Sequence, residues 1–305
     1  MDTATFNREL AARGYQAKIV DIGRAAELAA AIEDLHGRGF FTPDFYDKEL
    51  AKFLDCNYTD KLPQAKSIVI VAAFQPPTRV RFGETLLTIP PTYVYRDIWE
   101  GSLTVVTELL QAEGFQARRA RLPLKMLAVG SGLGKYGRNN ICYIPGMGSC
   151  HRLGAFFTDL PCPKDSWQPL VMMELCQGCR LCRKACPTSA ISDDRFLIDA
   201  GRCLTFFNEQ EGAFPGWIQD KWHNAILGCL ICQRVCPANW EALSKTQDSP
   251  LGFTGDETSA ILGGTPLSVL SPETREKLHQ LCLDDDYALT ARNIGCLIKP
   301  QAEQR

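Results

Sequence analysis

The spacing of hydrophobic residues in the first half of the chain alternates between a helical period and extended runs. Between residues 22 and 38 the apolar side chains recur every three or four positions, which predicts an amphipathic helix that ends near Gly37. Residues 97–113 repeat this pattern and predict a second helix, which ends at Gly114.

Extended apolar runs lie around these helices. The run Ser67–Phe74 is β-branched and continuously apolar, as is typical of a strand buried on both faces. Shorter strands are predicted at Thr85–Ile89, 115–121 and 153–159, and a later helix at 272–283 is followed by a loose end. Since strands and helices alternate through roughly the first 160 residues, this part is predicted to be an α/β domain.

Composition narrows the cellular setting. The chain has 305 residues and fourteen cysteines, and it is long enough for one large or two medium domains. Its start has no basic segment followed by an apolar stretch, so secretion and disulfides are not expected. No run of about 18 apolar residues occurs, which predicts that the protein has no membrane span. A reducing cytoplasm is therefore the predicted location.

The net charge of −2 argues against a protein that binds nucleic acid over its whole surface. The charges are nevertheless unevenly distributed along the chain. Residues 114–158 carry seven lysines or arginines and no acidic residue, whereas the tail after residue 244 carries nine acids and six bases. A basic stretch of this kind can face phosphates. A solvated face that is balanced by acids elsewhere in the fold explains it equally well.

A run of four cysteines carries the clearest chemistry. Two residues separate each of the first three thiols, so the backbone can curl and direct them at neighbouring irons of one cluster. The fourth thiol follows three residues later and precedes Pro187. The run consists of Cys176, Cys179, Cys182 and Cys186.

In bacterial two-cluster ferredoxins the fourth cysteine of such a run binds the other cluster. A matching second set lies downstream, so two 4Fe-4S clusters with exchanged fourth ligands are predicted. A structural zinc site needs two cysteine pairs and explains neither the third cysteine of the first run nor the two Cys-Pro endings. One cluster is predicted to bind Cys176, Cys179, Cys182 and Cys236, and the other Cys186, Cys203, Cys229 and Cys232.

Six further cysteines show no paired metal spacing, and we expect them to be buried and unreactive. They are Cys56, Cys142, Cys150, Cys162, Cys282 and Cys296. None of the four histidines has a sequence context that marks it as a ligand.

A glycine-rich loop precedes the cysteine runs. Its glycines at 132, 134 and 137 form a G-x-G-x-x-G pattern, and Asp159 lies about 22 residues on, as in a nicotinamide-binding turn. That turn should open a long helix, but Pro145 and two glycines follow within a dozen residues and break any such helix. We therefore interpret the segment as a loop that a large planar or polar ligand approaches closely.

In combination these features resemble the epoxyqueuosine reductase family, over roughly residues 60–240. The residues that carry the resemblance are 66–72, Arg96-Asp97, 128–139, Gly148-Ser149, Leu153-Gly154, 158–160, Cys203, Gly228-Cys229 and 236–239. The family, which shares its architecture with reductive dehalogenases, implies an α+β protein. A nitroreductase-like α/β domain would hold cobalamin beside a bacterial ferredoxin-like module with two clusters.

The resemblance also implies roles for individual residues. Asp97 takes the position of the proton donor, which would protonate the leaving oxygen. The positions that contact the corrin are taken by Gly132, Leu133, Gly134, Gly137, Arg138, Asn139, Gly148 and Ser149. The implied partners are epoxyqueuosine-containing tRNA and an electron donor such as a ferredoxin, a flavodoxin or a reductase.

On this interpretation residues 1–165 form the cobalamin-binding catalytic domain and 166–245 the double-cluster domain, and 246–305 form an extension that packs on both. Three departures bear on the substrate. Ile98-Trp99 replaces a Tyr-His pair, Phe207-Asn208 replaces Thr-Ile before the retained Glu209, and the tail is acidic where many family members carry helical repeats that grip tRNA.

Two alternatives remain open at this stage. The first is a corrinoid-dependent reductase of a small organohalide, an epoxide or a corrinoid protein, which the short acidic tail favours. The second is an electron-transfer protein whose first domain only docks a partner. Such a protein would bind no corrin.

Overall fold

The computed structural model describes residues 2–51, 54–94, 96–194 and 196–298. Its strands are β1 Tyr15–Asp21, β2 Ser67–Phe74, β3 Thr78–Phe82, β4 Thr85–Ile89, β5 Ala117–Ala120, β6 Lys135–Tyr136, β7 Cys142–Tyr143, β8 His151–Thr158 and β9 Gln247–Phe253. Its helices are α1 Thr3–Ala12, α2 Arg24–Gly37, α3 Pro43–Phe45, α4 Arg96–Gln111, α5 Leu124–Gly130, α6 Leu181–Ala185, α7 Leu204–Asn208, α8 Ile231–Arg234, α9 Trp240–Ser244, α10 Gly255–Leu262, α11 Pro272–Gln280 and α12 Tyr287–Ile298.

Single helical turns complete the described structure. A π-helical turn spans Tyr46–Leu50, and the 3₁₀ turns are Glu174–Cys176, Ala200–Arg202, Asp220–Trp222, Pro237–Asn239 and Leu267–Val269. Several of these turns begin or end beside cysteines of the two runs, where the chain bends repeatedly.

A four-stranded sheet with the order β1-β2-β8-β5 forms the centre of the first domain. Every neighbouring pair in it is antiparallel; for example, Val71 of β2 lies opposite Gly154 of β8. The predicted strands and helices and the mixed α+β class are thus confirmed. The α/β expectation for this domain is corrected, because apolar periodicity indicates which faces are buried but not the direction of the neighbouring strand.

The central strand β2 is buried on both faces, as its sequence predicts. Ile68 and Ile70 face the core that includes residues of α2 and α5. Val69 and Val71 face the opposite core, where residues of α1 and α4 pack. The domain therefore has three layers, with the sheet between two layers of helices.

A second sheet joins the first half of the chain to its C-terminal part. Strand β3 pairs with β4 in an antiparallel hairpin and with β9 in parallel, giving the order β4-β3-β9. Helices α10, α11 and α12 contribute to the core on this sheet, together with Ile226 and Leu227 from the segment before Cys229. The predicted loose end is therefore wrong for Tyr287–Ile298, since α12 is a regular helix that buries Leu289 and Ile294, and residues 299–305 lie outside the described part of the chain.

The cysteine-rich segment has little regular structure. Each cysteine run contains one short helix, α6 or α8, and these two helices pack against each other. The segment therefore depends on loop contacts and on its thiols for its shape. Among the described residues, no helix has the length and apolar character needed to cross a membrane.

Candidate functional site

Four thiols from both cysteine runs line a first cavity. Three come from the first run and its short helix α6, and the fourth comes from the end of the second run, directly before Pro237. The backbone of the glycine loop closes the cavity with Gly137, Arg138 and Asn139. The thiols are those of Cys176, Cys179, Cys182 and Cys236, which is the set that the sequence predicts for one cluster.

Arg138 connects the glycine loop to this first cavity. Its backbone N–H donates to the Sγ atom of Cys176 at 3.4 Å, and its guanidinium donates to the carbonyl oxygens of Cys176 and Cys179 at 2.9 and 3.0 Å. The same guanidinium pairs with Asp193 at 3.2 Å. Asp193 also binds Arg180 and Arg183, at 2.9 and 2.6 Å, so one carboxylate ties the glycine loop to the first cysteine run.

A second, larger cavity of about 270 Å³ holds the other four thiols. Its walls are largely apolar and include Phe41, Phe45 and Phe206. Lys125 also lines it and donates to the carbonyl oxygen of Asn140 at 3.3 Å. The thiols are those of Cys186, Cys203, Cys229 and Cys232, and Cys186 is thereby separated from the rest of its own run.

Polar side chains support the second cavity from the outside. The amide of Asn224 donates to the Sγ atom of Cys229 at 3.2 Å, and its carbonyl oxygen accepts from the backbone N–H of Leu230 at 2.8 Å. Tyr93 donates its hydroxyl proton to Glu209, which lines the cavity. A Cβ on Gly228 would overlap the Tyr93 ring, so a glycine is required beside Cys229.

Burial opposes the ionisation of some of these thiols. It raises the pKa of Cys182 and raises that of Cys232 well above the ordinary value, because a buried thiolate loses its hydration. Thiolates are the ligands of iron–sulfur clusters. A positive metal centre beside Cys182 and Cys232 would replace the water that their thiolates lose.

A third cavity, of about 400 Å³, lies between the glycine loop and the end of the second cysteine run. One wall contains Gly132, Leu133 and Gly134, and the opposite wall contains Ala238 and Glu241. No histidine is among the described residues that line it. We call this space the glycine cavity.

The glycines themselves are explained in part by internal packing. A Cβ on Gly134 would lie 2.7 Å from the Sγ atom of Cys142, and one on Gly137 would lie 2.6 Å from the Tyr143 ring. Gly132 has a φ of +76°, which favours glycine directly. As the sequence predicts, no long helix of the nicotinamide-binding kind follows Gly137 in this described segment, because the chain continues into β6 and β7.

Gly148 and Ser149 face the cysteine-rich segment. A Cβ on Gly148 would overlap the amide of Asn239, and the backbone N–H of Ser149 donates to that amide oxygen at 2.7 Å. The Ser149 hydroxyl donates to Gln233 at 2.6 Å. Gly148 lines the glycine cavity, whereas the buried Ser149 side chain bridges to residues 233 and 239 beside the second cysteine run.

Asp97 lies apart from the predicted cofactor residues. It is exposed in the first turn of α4, where the helix dipole stabilises a negatively charged side chain. It lines an open groove of about 640 Å³ together with Glu100 and residues of β9 and α11. The neighbouring Arg96 pairs with Asp284 at 2.9 Å and holds this end of α4 to the C-terminal part of the chain.

Part of the basic stretch gathers around Trp99. The guanidinium carbons of Arg119 and Arg152 lie 4.0 and 4.9 Å from the centroid of its ring. With Arg121 these residues line a cavity of about 150 Å³. Burial and the adjacent charge of Arg152 lower the pKa of Arg119, so an anion placed here would relieve repulsion between two cations.

The sequence did not predict the contacts that join the segment of residues 138–149 to the cysteine-rich segment. Asp193 belongs to no motif, Asn239 is only the last residue of the 236–239 motif, and both lie far along the chain from the loop that they bind. Their positions near cysteine runs were the signal available. Of the six cysteines outside the clusters, Cys142, Cys150 and Cys282 are buried as predicted, whereas Cys56, Cys162 and Cys296 are half-buried.

Comparison with known proteins identifies the cysteine-rich segment. Residues 175–239 match the family described as a 4Fe-4S double cluster binding domain. This match begins within the 3₁₀ turn Glu174–Cys176, ends at Asn239 and includes both cysteine runs. The segment is therefore an iron–sulfur cluster domain.

Similar proteins confirm the resemblance drawn from the sequence. An epoxyqueuosine reductase of Pseudomonas aeruginosa is 33% identical over 178 residues, which cover 53% of this chain and 48% of the relative. One of Bacillus subtilis is 28% identical over 216 residues, which cover 66% and 53%. The chain thus spans about half the length of the curated relatives that it matches.

Solved structures show the same fold. The epoxyqueuosine reductase of Streptococcus thermophilus has a TM-score of 0.68 at 20% identity and covers 95% of this chain and 79% of its own. A crystal structure of an epoxyqueuosine reductase with an epoxyqueuosine-modified tRNA-Tyr stem loop has a TM-score of 0.59 at 20% identity, with coverages of 96% and 82%. The fold is therefore shared along nearly the whole chain.

Proposed function

We propose that this protein is a cytoplasmic reductase that uses cobalamin and two 4Fe-4S clusters to reduce epoxyqueuosine to queuosine in tRNA. The first domain, described as nitroreductase-like on the family resemblance, would bind the corrin and the substrate. The cluster domain would deliver electrons one at a time.

One observation carries this proposal: a single continuous segment borders all three cavities. Its first residues, Gly132 to Lys135, line the glycine cavity. Its middle, Gly137 to Asn139, lines the first thiol cavity, and Asn139 to Ile141 line the second. A ligand of the glycine cavity would therefore lie against the same ten residues as both clusters, which suits electron transfer between them.

The thiol cavities support the exchanged ligand sets. We assign the first cluster to Cys176, Cys179, Cys182 and Cys236, and the second to Cys186, Cys203, Cys229 and Cys232. In each set the fourth thiol comes from the other cysteine run, as in two-cluster ferredoxins. Hydrogen bonds from Arg138 and Asn224 to ligand sulfurs would stabilise the reduced clusters.

The glycine cavity fits a corrin better than a ligand that needs many polar partners. Its walls expose backbone at Gly132, Gly146 and Gly148. It has two charged lining residues, Lys135 from the predicted first domain and Glu241 from the predicted cluster domain. When bound there, cobalamin would supply a strongly reducing cobalt centre. The chain would hold it by the shape of the cavity and by backbone contacts.

A tRNA substrate is supported by the arginines around Trp99. Phosphate oxygens are strong acceptors for guanidinium groups, and Arg119 and Arg152 already stand close together beside an indole ring. Unpaired bases of an RNA loop stack on such aromatic and guanidinium planes. The stem-loop complex of the related enzyme supports the same class of substrate.

Asp97 is proposed as the proton donor for the leaving oxygen. Its exposed position in the groove beside α11 requires the first turn of α4 to move before it reaches a ligand of the glycine cavity. Such a movement has a parallel, because one Bacillus subtilis structure is described with its catalytic aspartate loop swung out of the active site.

The electron donor is proposed to dock beside the first thiol cavity. Leu175 and Leu181 line that cavity and are 50% and 46% exposed, so apolar surface lies directly over the thiols. The exposed Arg183 and Lys184 stand next to it. An acidic ferredoxin or flavodoxin with an apolar contact face complements this surface.

The decisive experiment uses the full chain, reconstituted anaerobically with iron, sulfide and cobalamin. After reduction, it should bind a corrin with its visible absorption band and convert epoxyqueuosine-tRNA to queuosine-tRNA, detected by mass spectrometry of the nucleosides. Turnover of small epoxides or organohalides alone would redirect the proposal to a small-molecule reductase. Full clusters without any bound corrin would leave an electron-transfer protein.

Asp97→Asn separates the proton donor from the cofactor site. We expect turnover to fall by a factor of about 10² to 10⁴, while iron and corrin contents stay unchanged because Asp97 lines neither thiol cavity nor the glycine cavity. Glu100→Gln, an exposed acid in the same groove, is the matched control and should keep its activity. Near-normal turnover of Asp97→Asn would leave Asp97 with only its helix-terminal role.

A further inference from the structure

Three metal-ligating side chains meet outside the cavities described above. They are Asp220 and His223, which flank a 3₁₀ turn in the insertion between Cys203 and Cys229, and Cys296 on α12. Each offers one ligand atom, and these atoms all lie within 4.8 Å of one another. None of the three belongs to either thiol set.

His223 is the most informative member of this cluster. Its side chain is 8% exposed, and neither ring nitrogen has a hydrogen-bond partner among the described residues. The ring of Phe214 covers it, with the two ring centroids 4.5 Å apart. A buried imidazole without partners is costly, because each unpaired polar atom loses its hydration without replacement.

The electrostatic surroundings favour the neutral imidazole. Burial lowers the pKa of His223, the carboxylate of Asp220 opposes this shift, and the Arg292 cation adds to it. Neutral imidazole is the form that binds metals. The guanidinium of Arg292 is itself held by the carbonyl oxygens of Gln210 and Gly212, at 2.7 and 2.6 Å, and it stacks on Phe214.

We propose that Asp220, His223 and Cys296 bind a zinc ion that fastens the C-terminal helix to the cluster domain. One carboxylate, one imidazole and one thiolate are ligand types that zinc accepts, with a fourth position for water. In a tetrahedral site the ligand atoms stand about 3.5 Å apart, so separations that are all within 4.8 Å must close by at most about 1.3 Å. The two anionic ligands balance the charge of the ion beside Arg292.

The position of the site gives it a structural role. One turn before Cys296, Asn293 on α12 donates to the carbonyl oxygens of Asn208 and Ile226, at 2.9 and 2.8 Å. One residue after His223, Asn224 donates to the Sγ atom of Cys229. Zinc at this point would extend the anchoring of α12 by one turn and fix the loop that supports the second thiol cavity.

The test uses the full chain with its clusters reconstituted, so that cluster cysteines are occupied by iron. After addition of zinc chloride and removal of excess metal, the protein should retain one zinc ion per chain. The zinc X-ray absorption edge, which iron does not obscure, should show one sulfur neighbour at about 2.3 Å and nitrogen or oxygen neighbours at about 2.0–2.2 Å.

Two variants and a control decide the assignment. Cys296→Ser should lose the sulfur neighbour, and Asp220→Ala, which changes an exposed side chain, should weaken zinc binding by about tenfold or more. Cys162→Ser is the matched control, because Cys162 is also half-buried but lies outside the cluster, and it should bind zinc normally.

Zinc should also raise the unfolding temperature of the unaltered protein and of Cys162→Ser, but not that of Cys296→Ser. Retention of no zinc at full iron content would overturn the proposal. A zinc ion with several sulfur neighbours would also overturn the proposal, because that ion would be bound by the cysteines assigned to the clusters. The same conclusion follows if Cys296→Ser and Cys162→Ser bind zinc equally.

Discussion

The two thiol cavities contain the same number of cysteines but differ in their surroundings. The first lies under exposed leucines and is closed by Arg138, whose guanidinium contacts two cysteine carbonyls and Asp193. The second is larger and is walled by phenylalanines and aliphatic residues, and the sulfur of its Cys229 accepts from the neutral amide of Asn224.

This difference assigns separate tasks to the two proposed clusters. Positive charge and hydrogen bonds to sulfur raise the reduction potential of a cluster, and access from the surface allows a donor to approach. The first cavity combines all three features. The second cavity also has a cation, Lys125, and a hydrogen bond to sulfur, so the exposed leucines over the first cavity are the feature that suits it to accept electrons from outside.

The strongest test of the comparison removes ligands in pairs. Cys176→Ala and Cys236→Ala should each lower the iron content from about eight to about four atoms, because each destroys the first cluster. The double variant Cys176→Ala/Cys236→Ala should lose no more iron than either single variant, since both residues serve one cluster. Cys229→Ala/Cys236→Ala should lose nearly all iron.

Iron analysis and electron paramagnetic resonance of the reduced proteins would measure these contents. Cys282→Ala changes a buried thiol that lines neither cavity and should keep all its iron. If ligands were not exchanged, the two double variants would behave in the opposite way. That reversal would break the comparison, because the two clusters would then not correspond to the two cavities, each of which takes thiols from both cysteine runs.

The sequence predicted which cysteines line the two thiol cavities, because local spacing brings most of these thiols together. Residues three apart in a tight loop converge wherever the rest of the chain lies, and the Cys-Pro ending marks the thiol that turns away. The same local character made the strand Ser67–Phe74 and the helix near residues 24–37 predictable. These features need no knowledge of distant contacts.

The sequence did not predict the features that depend on contacts between distant residues. The partner of Arg138, Asp193, lies 55 residues along the chain, and that of Ser149, Asn239, lies 90 residues along it. No periodicity reports such pairs. The strand β9 and the antiparallel order of the central sheet were missed for the same reason, because strand direction and pairing are decided by the tertiary fold.

A second prediction measures the contribution of Arg138. The side chain is 17% exposed and donates to two carbonyl oxygens and one carboxylate, so Arg138→Leu should lower the free energy of unfolding by about 2–3 kcal/mol. It should also lower the reduction potential of the first cluster, since a nearby cation is lost. Denaturant unfolding under anaerobic conditions and a redox titration would measure these effects.

Arg183→Leu provides the matched control. Arg183 pairs with the same Asp193 but is 46% exposed, so its loss should cost less than about 1 kcal/mol and leave the potential nearly unchanged. Equal effects of the two substitutions would mean that Asp193 alone organises this cavity. The proposed role of Arg138 as the link between loop and cluster would then fall.

The smallest expected effect concerns the exposed apolar surface over the first cavity. Leu181→Gln removes half-exposed apolar area without changing the charge, so it should weaken binding of a reduced ferredoxin or flavodoxin by about 1 kcal/mol, or about fivefold in Kd. Leu170→Gln is matched in exposure, at 44%, but does not line the cavity, and it should bind the donor normally. Stopped-flow reduction at several donor concentrations separates binding from transfer, because only the concentration dependence should change. Equal behaviour of the two variants would remove the reason to place electron entry at the first cavity, and the distinction between an outer and an inner cluster would then rest on Arg138 alone.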